Sequence, residues 1–164
     1  MKTQLLSTVL ISLFLSFSIS AQDSEFHLDE IYELAANGVV HLNSEDADVR
    51  ISGSDRQDVR VKIDRVQEVT GFRTGDRRFS VEVEETGGDL YITERKSGSV
   101  NIAFGMSRTR YDIDIEMPRG ASLKIQGEDD DYVISNIDGE ISLEAEDGDV
   151  EIFQTNSQKI DLSL

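Results

Sequence analysis

Apolar residues recur in pairs at positions i and i+2 along most of the chain, with a polar or charged residue between them. The pairs are Val40/Leu42, Val49/Ile51, Val59/Val61, Leu123/Ile125, Tyr132/Ile134, Ile141/Leu143, Val150/Ile152 and Ile160/Leu162. Within each block, neighbouring pairs are nine or ten residues apart. Alternation with a period of two predicts short strands with one buried face, and the constant spacing indicates an internal repeat.

The segments between these pairs are rich in residues that form turns. Examples are Gly53-Ser54-Asp55, Asp138-Gly139 and Asp147-Gly148-Asp149. Glycine, asparagine and aspartate tolerate positive φ or bond to nearby backbone groups. No segment carries a sustained apolar stripe of helical period. Residues 30–36 could form either one helical turn or a capping strand, and the sequence does not decide between them. The pattern therefore predicts a nearly all-β protein.

Two architectures fit this spacing. In a flattened β-solenoid, two units make one coil, and successive coils stack about 4.8 Å apart. In an antiparallel β-sandwich, each turn closes a hairpin. The uniform units and their loops favour the solenoid, because tight hairpins prefer two-residue turns between longer strands. The sandwich is the alternative.

The middle of the chain departs from this period, and we interpret residues 66–118 as an insert of longer strands or hairpins. Alternating residues from Phe79 to Val83, a Thr86-Gly87-Gly88-Asp89 turn, and Leu90/Ile92 predict one hairpin. A second is predicted from a strand over 100–106, a connection over 107–110 and a strand over 111–115. Pro118 marks a strand boundary because it has no N–H to donate.

Several of these motifs resemble a bacterial β-strand-repeat family labelled "putative adhesin", a domain of unknown function. Residues 48–55, followed by Asp58-Val59-Arg60-Val61, resemble its N-terminal pattern, and residues 117–125 resemble its Pro-x-Gly entry into the repeats. Residues 137–143 and 146–152 resemble its Gly-Asp-Val-x-Leu units. The likeness extends over about residues 37–164.

The resemblance implies an exported, right-handed β-solenoid-like fold with a role in adhesion and no catalytic residues to carry over. Two departures stand out. Ala47 and Asp130 occupy positions where members usually have glycine, and members usually run through more repeats. The chain ends within the strand pattern Ile160 to Leu164 without a visible polar cap, so we expect either a fragment of a longer array or end-to-end self-association.

The first 21 residues have the three-part layout of a secretory signal peptide. Lys2 precedes an apolar run from Leu5 to Ile19, and small residues end at Ala21. The run is short for a membrane span of about 20 residues, although an uncleaved anchor is the alternative. We expect cleavage after Ala21, a lead-in over residues 22–36 and a repeat domain over 37–164, located in the periplasm or cell exterior with no membrane span after cleavage.

Composition narrows the function further. The 164 residues include 33 acidic and 16 basic side chains, a formal net charge of -17, and no cysteine. The absence of cysteine excludes disulfides and thiol chemistry. The acidic balance argues against a nucleic-acid partner, since phosphates would be repelled.

The basic residues concentrate in residues 60–119, which hold 11 basic and 11 acidic side chains. They either solubilise exposed strands or form a patch that binds an acidic polysaccharide or the acidic repeats. The residues of the candidate contact face are Arg50, Arg60, Lys62, Arg73, Arg77, Arg78, Phe104 and Tyr111. The expected partners are a cell-surface polysaccharide or an envelope protein.

The acidic turns are weak candidates for calcium. Positions 18 residues apart should stack, which brings Asp129 and Asp131 over Asp147 and Asp149. The glycine pattern of calcium-binding repeats is missing, however, and splayed carboxylates screened by salt are the simpler interpretation. We expect no cofactor.

No catalytic motif stands out. The chain has two histidines, no tryptophan and no Gly-x-Ser-x-Gly elbow. The sequence therefore favours an exported, non-catalytic β-solenoid module acting in adhesion or envelope structure. The alternatives are a carbohydrate-active enzyme that uses two carboxylates and a calcium-stabilised spacer.

Overall fold

The structure is a computed structural model and describes residues 24–74, 78–97 and 102–164. All regular secondary-structure elements within those ranges are β-strands, so the all-β prediction is confirmed. The strands are β1 (Ser24–Glu33), β2 (Val39–Ser44), β3 (Asp48–Ser54), β4 (Asp58–Thr74), β5 (Arg78–Thr86), β6 (Asp89–Ser97), β7 (Ile102–Pro118), β8 (Ser122–Asp129), β9 (Asp131–Ser135), β10 (Ile141–Asp147), β11 (Val150–Phe153) and β12 (Ile160–Ser163).

The strands form two mixed sheets of six strands each. Sheet A has the order β1-β4-β7-β3-β9-β11, and sheet B has the order β12-β10-β8-β2-β6-β5. Pairing is antiparallel between β1, β4 and β7 and between β5 and β6, whereas all other pairs are parallel. This two-sheet arrangement is compatible with the sandwich alternative, although neither sheet is purely antiparallel.

The parallel strands follow the repeat seen in the sequence. From β8 to β12 the chain alternates between sheet B and sheet A, and β10, β11 and β12 each pair with the strand two before them. Leu123 pairs with Ile141 and Tyr132 with Val150, an offset of 18 residues. Two successive units therefore separate residues that are neighbours in one sheet.

The core lies between the two sheets and consists of the predicted apolar positions. Val40 and Leu42 of β2, Ile51 of β3, and Leu123 of β8 are at most 2% exposed. Burial of this kind stabilises the fold by roughly 1.5–3 kcal/mol for each large aliphatic side chain. In β2, β3 and β8 to β10 the alternation of apolar and polar residues therefore identifies the buried face correctly.

The end of the two sheets formed by β11 and β12 is less covered than their centres. Ile160 and Leu162 continue the pattern of Ile141 and Leu143 but are 40% and 49% exposed. They are exposed because β12 is the last strand of sheet B in the described chain.

The predicted hairpin at Gly87-Gly88 is confirmed. Strands β5 and β6 are antiparallel, and Thr86 pairs with Asp89 across the turn. Gly87 and Gly88 have φ of 67° and 93°. Positive φ at both central positions is the geometry that glycine adopts without steric cost.

The second predicted hairpin is wrong. Strand β7 runs without interruption through residues 107–110 and pairs along its length with β4, so that Thr109 lies opposite Gln67. The apolar positions change from even to odd numbers between Met106 and Tyr111, which resembles a break in sequence. In the structure Met106 is 80% exposed and Tyr111 is buried, so the change only moves the apolar residues to the other face of one strand.

The open question over residues 30–36 is also answered. Strand β1 extends to Glu33 and pairs antiparallel with β4, with Leu28 opposite Ile63. A strand therefore covers the edge of β4, and no helical turn occurs there.

Candidate binding faces

The outer face of sheet A gathers three of the predicted contact residues. Lys62 of β4 pairs with Asp114 of β7, and Asp114 pairs with Arg50 of β3. Together with Arg60 they line a shallow groove of about 360 Å³. The sequence could not show this proximity, because β7 lies between β3 and β4.

Each of these cations is already paired with carboxylates. Arg60 donates from Nε and Nη2 to both oxygens of Asp29, each at 2.8 Å, and Lys62 lies 2.7 Å from Asp64. The hydrogen bond from Arg60 lowers the pKa of Asp29, and the hydrogen bond to Asp64 raises the pKa of Lys62.

The third cation, Arg50, is also close to carboxylates. It lies 3.6 Å from Asp112 and 3.7 Å from Asp114. Exposed pairs of this kind contribute little to stability, because water and salt screen the charges. Their consequence for binding is larger, because an anionic ligand at this groove would have to compete with the carboxylates around it.

The calcium candidates lie in two different sheets. Asp129 pairs with Asp147 at the ends of β8 and β10 in sheet B. Asp131 begins β9 in sheet A, and its Oδ1 accepts a hydrogen bond of 2.9 Å from the N–H of Asp149. Within the described chain, no three acidic, histidine or cysteine side chains are arranged to hold a metal ion.

Of the remaining predicted contact residues, only Tyr111 has a side chain within the described part of the structure. Tyr111 points inward and is 4% exposed, because it occupies an odd-numbered, core-facing position of β7. Arg73, Arg78 and Phe104 belong to β4, β5 and β7, but their side chains lie outside the described part of the structure. Arg77 lies outside the described residues.

The outer face of sheet B carries a set of side chains that the sequence analysis did not single out. We call it the sheet B platform, and its members are His41, Asn43, Tyr91, Thr93, Lys124 and Gln126. The His41 and Tyr91 rings stack with their centroids 4.2 Å apart and their planes within 7°. Pairing between β2, β6 and β8 holds these side chains in two adjacent rows.

The second row of the platform is uncharged. Asn43 lies between Thr93 and Gln126 on the neighbouring strands. Asn and Gln amides both donate and accept hydrogen bonds, and the threonine hydroxyl does the same. The platform surrounds an open depression of about 580 Å³.

The ring pair itself is only partly covered. Tyr91 is 37% exposed, and the Nε2 atom of His41 is buried without a hydrogen-bond partner among the described residues. In the sequence, the outward-facing positions of three strands follow the patterns His-x-Asn, Tyr-x-Thr and Lys-x-Gln, which could have indicated a polar and aromatic face. Only strand pairing reveals that these three patterns are adjacent.

Comparison with known proteins finds a solved structure with a similar fold but no matching family. No protein-family model and no curated protein matches the sequence. A solved structure described as a putative cell adhesion protein from Clostridium sporogenes is similar, with a TM-score of 0.53 and 13% identity over 87% of this chain and 68% of that one. A structure described as a putative adhesin from Bacteroides fragilis has a TM-score of 0.42 and 14% identity over 85% of this chain and 58% of that one.

The first of these likenesses establishes a shared fold and no more, since the sequences are only 13% identical. The fold is therefore one that also occurs in a protein described as a putative cell adhesion protein. In the described ranges the structure contains no helix of the length and hydrophobicity needed to cross a bilayer.

Proposed function

We propose that the chain is a non-catalytic adhesion module that binds neutral polysaccharide on the sheet B platform. The observation that carries the proposal is the His41–Tyr91 ring stack beside the uncharged row of Thr93, Asn43 and Gln126. An exposed aromatic ring offers a surface for the C–H face of a sugar, and amides pair with its hydroxyls.

The charge layout supports a neutral ligand over an acidic one. The net charge is -17, and the cations of the sheet A groove are engaged with carboxylates. A polyanion would therefore meet long-range repulsion without unoccupied cations in that groove to offset it. This revises the sequence-based hypothesis of an acidic polysaccharide.

The description of the Clostridium sporogenes neighbour supports adhesion as the role. We further propose that β2, β3 and β8 to β12 form a β-solenoid stack. The support is the 18-residue offset of β10 from β8 and of β11 from β9, together with the parallel pairing of β2 with β8 and of β3 with β9. In this arrangement every coil adds one strand to the platform side, so the binding face is flat and repetitive.

Export is the second part of the proposal, and the apolar segment ahead of Ala21 supports it. We expect the chain in the periplasm or at the cell exterior, with Gln22 as its first residue. Cell fractionation followed by N-terminal sequencing tests this. A full-length chain starting at Met1 in the cytoplasmic fraction would contradict it.

Binding is tested with a panel of neutral polysaccharides (mannan, galactan, β-glucan and xylan) by affinity electrophoresis and calorimetry. We expect Tyr91→Ala and the double variant Asn43→Ala/Gln126→Ala each to weaken binding at least about tenfold, which corresponds to ~1.4 kcal/mol. Arg50→Ala, on the opposite sheet, is the matched control and should bind like the unaltered protein. Failure to bind any member of the panel, or equal binding by the platform variants, would refute the proposal.

A further inference from the structure

Beyond the apolar core, the space between the two sheets is lined by polar and charged side chains. Core-facing positions of β4, β6 and β7 carry polar or charged side chains instead of aliphatic ones. They surround a cleft of about 370 Å³, which we call the intersheet cleft. The residues that line this cleft include Glu45, Arg65, Phe79, Glu94, Lys96 and Tyr111.

Glu94 lies at the base of this cleft and is almost fully enclosed. The residue is 8% exposed, and its Oε2 accepts a hydrogen bond of 3.1 Å from the N–H of Glu45. Its Oε1 lies 3.3 Å from Nζ of Lys96 but makes no hydrogen bond within the described chain. Burial raises the pKa of Glu94. One carboxylate oxygen is therefore left with acceptor capacity.

Tyr111 provides a second unused polar atom. The residue is 4% exposed, and its buried hydroxyl has no hydrogen-bond partner among the described residues. Burial, followed by the nearby charge of Glu94, raises the pKa of this phenol. Leaving the buried hydroxyl of Tyr111 unpaired costs about 1–3 kcal/mol. A ligand that pairs with this hydroxyl, and with the acceptor capacity that Glu94 Oε1 keeps beside Lys96, would gain from a site already desolvated.

Aromatic rings fix the position of the tyrosine. Phe79 meets Tyr111 edge to face with ring centroids 5.1 Å apart, and it meets Phe26 in the same way at 5.2 Å. The guanidinium carbon of Arg65 lies 4.4 Å from the centroid of Phe79. Rigid walls of this kind reduce the entropy lost when a ligand binds.

The charges at the cleft are balanced internally. Lys96 contacts the carboxylates of Glu45 and Glu94 and lies 3.4 Å from Asp46. An anionic ligand would meet these carboxylates, and a cationic ligand would meet Lys96 and Arg65. The cleft therefore favours an uncharged ligand that both donates and accepts hydrogen bonds.

We propose that the intersheet cleft binds a single neutral sugar residue, with a sugar hydroxyl donating to Glu94 Oε1 and another accepting from the Tyr111 hydroxyl. The ligand class rests on the proposed function of polysaccharide binding. The site is a separate one, and it accepts a chain end or a free sugar that the open platform could not enclose.

The test uses the full chain and the methyl glycosides of glucose, galactose, mannose and xylose, measured by calorimetry and saturation-transfer NMR. Tyr111→Phe removes only the unpaired hydroxyl, and we expect it to weaken binding of the glycoside that binds best by about tenfold. Glu94→Gln should weaken it as well. Unchanged circular dichroism and melting temperature confirm that each variant is folded, and Arg50→Ala is the control for a remote change.

The outcomes separate this proposal from the one above. If Tyr91→Ala weakens glycoside binding and Tyr111→Phe does not, the sugar binds on the platform and the cleft proposal fails. If no methyl glycoside binds while polysaccharide does, the cleft proposal also fails and the platform stands. If glycosides bind in a Tyr111-dependent way and no polysaccharide binds, the cleft stands and the proposed function fails.

Discussion

At the scale of single residues, a buried aspartate joins the segment between β8 and β9 to the segment between β2 and β3. Asp130 is fully buried, and its carboxylate accepts hydrogen bonds from the N–H of Ala47 at 2.7 Å, the Ser44 hydroxyl at 3.1 Å and the Tyr132 hydroxyl at 2.8 Å. Its neighbours in sequence, Asp129 and Asp131, are exposed. The acidic run 129–131 therefore contains one structural residue between two solvated ones.

We expect Asp130→Ala to lower the free energy of unfolding by roughly 2–4 kcal/mol, because three donors lose their acceptor in the core. Asp129→Ala is the matched control and should change it by less than about 0.5 kcal/mol. Urea unfolding of both variants measures the difference. Equal effects would mean that the hydrogen bonds of Asp130 to these two segments do not stabilise the fold.

The burial of the Asp130 carboxyl also predicts that the free energy of unfolding depends on pH. Burial raises its pKa above 3.8 despite three hydrogen bonds. The folded state therefore holds the proton more tightly than the unfolded state, so this contribution to stability is complete below about pH 3.8 and is lost as pH rises through the folded pKa. Asp130→Asn should remove that loss, and its stability relative to the unaltered protein should increase with pH over this window. A constant difference in urea unfolding from pH 4 to 8 would contradict the assignment.

Gly148 is a second residue with a structural requirement. Its φ is 108°, and a Cβ built there would lie 2.0 Å from the carbonyl oxygen of Asp130. We expect Gly148→Ala to destabilise the protein by about 2 kcal/mol or more, through backbone strain and steric clash. Gly120, with open space around it, is the control, and Gly120→Ala should leave the melting temperature nearly unchanged.

At the scale of elements, the repeated strands are similar in sequence but unequal in burial. Ile141 of β10 and Ile160 of β12 are register partners, yet they are 1% and 40% exposed. A strand in the interior of a sheet has neighbours on both sides, whereas β12 has one. The same residue type should therefore contribute differently to stability.

We expect Ile141→Ala to cost roughly 2–5 kcal/mol and Ile160→Ala less than about 1 kcal/mol. Chemical denaturation of the two variants side by side measures both values. A large loss at Ile160 would show that β12 is covered in solution, for example by a second copy of the chain stacked on this end.

At the scale of the whole molecule, the excess of negative charge dominates. The net charge is -17, and residues 120–164 alone carry 12 acidic and 2 basic side chains. Self-repulsion of this size opposes the compact state and is weakened by salt, since the Debye length falls from about 30 Å at 0.01 M to about 3 Å at 1 M.

We therefore expect sodium chloride to raise the melting temperature progressively, and calcium to act no differently from magnesium at the same ionic strength. Differential scanning calorimetry in the three salts makes the comparison. Stabilisation by sub-millimolar calcium alone would reveal a specific site and revive the hypothesis built on Asp129, Asp131, Asp147 and Asp149.

Local chemistry was enough to predict the short repeated strands, the buried faces of β2, β3 and β8 to β10, and the Gly87-Gly88 turn. The repeat spacing added the 18-residue offset of β10 from β8 and of β11 from β9. These features depend on the alternation of side chains along an extended backbone and on the φ values that glycine tolerates, both of which are properties of a few adjacent residues. The position of Arg50 near Lys62, in contrast, depends on β7 passing between their strands.

Pairing between distant segments decided the rest. The continuity of β7 follows from its long antiparallel partner β4, although the shift in its apolar positions suggested a turn. The platform and the intersheet cleft each combine side chains from three or more strands that lie far apart in sequence. Alternation assigns a residue to a face of its strand, but hydrogen bonding between strands determines which faces become neighbours.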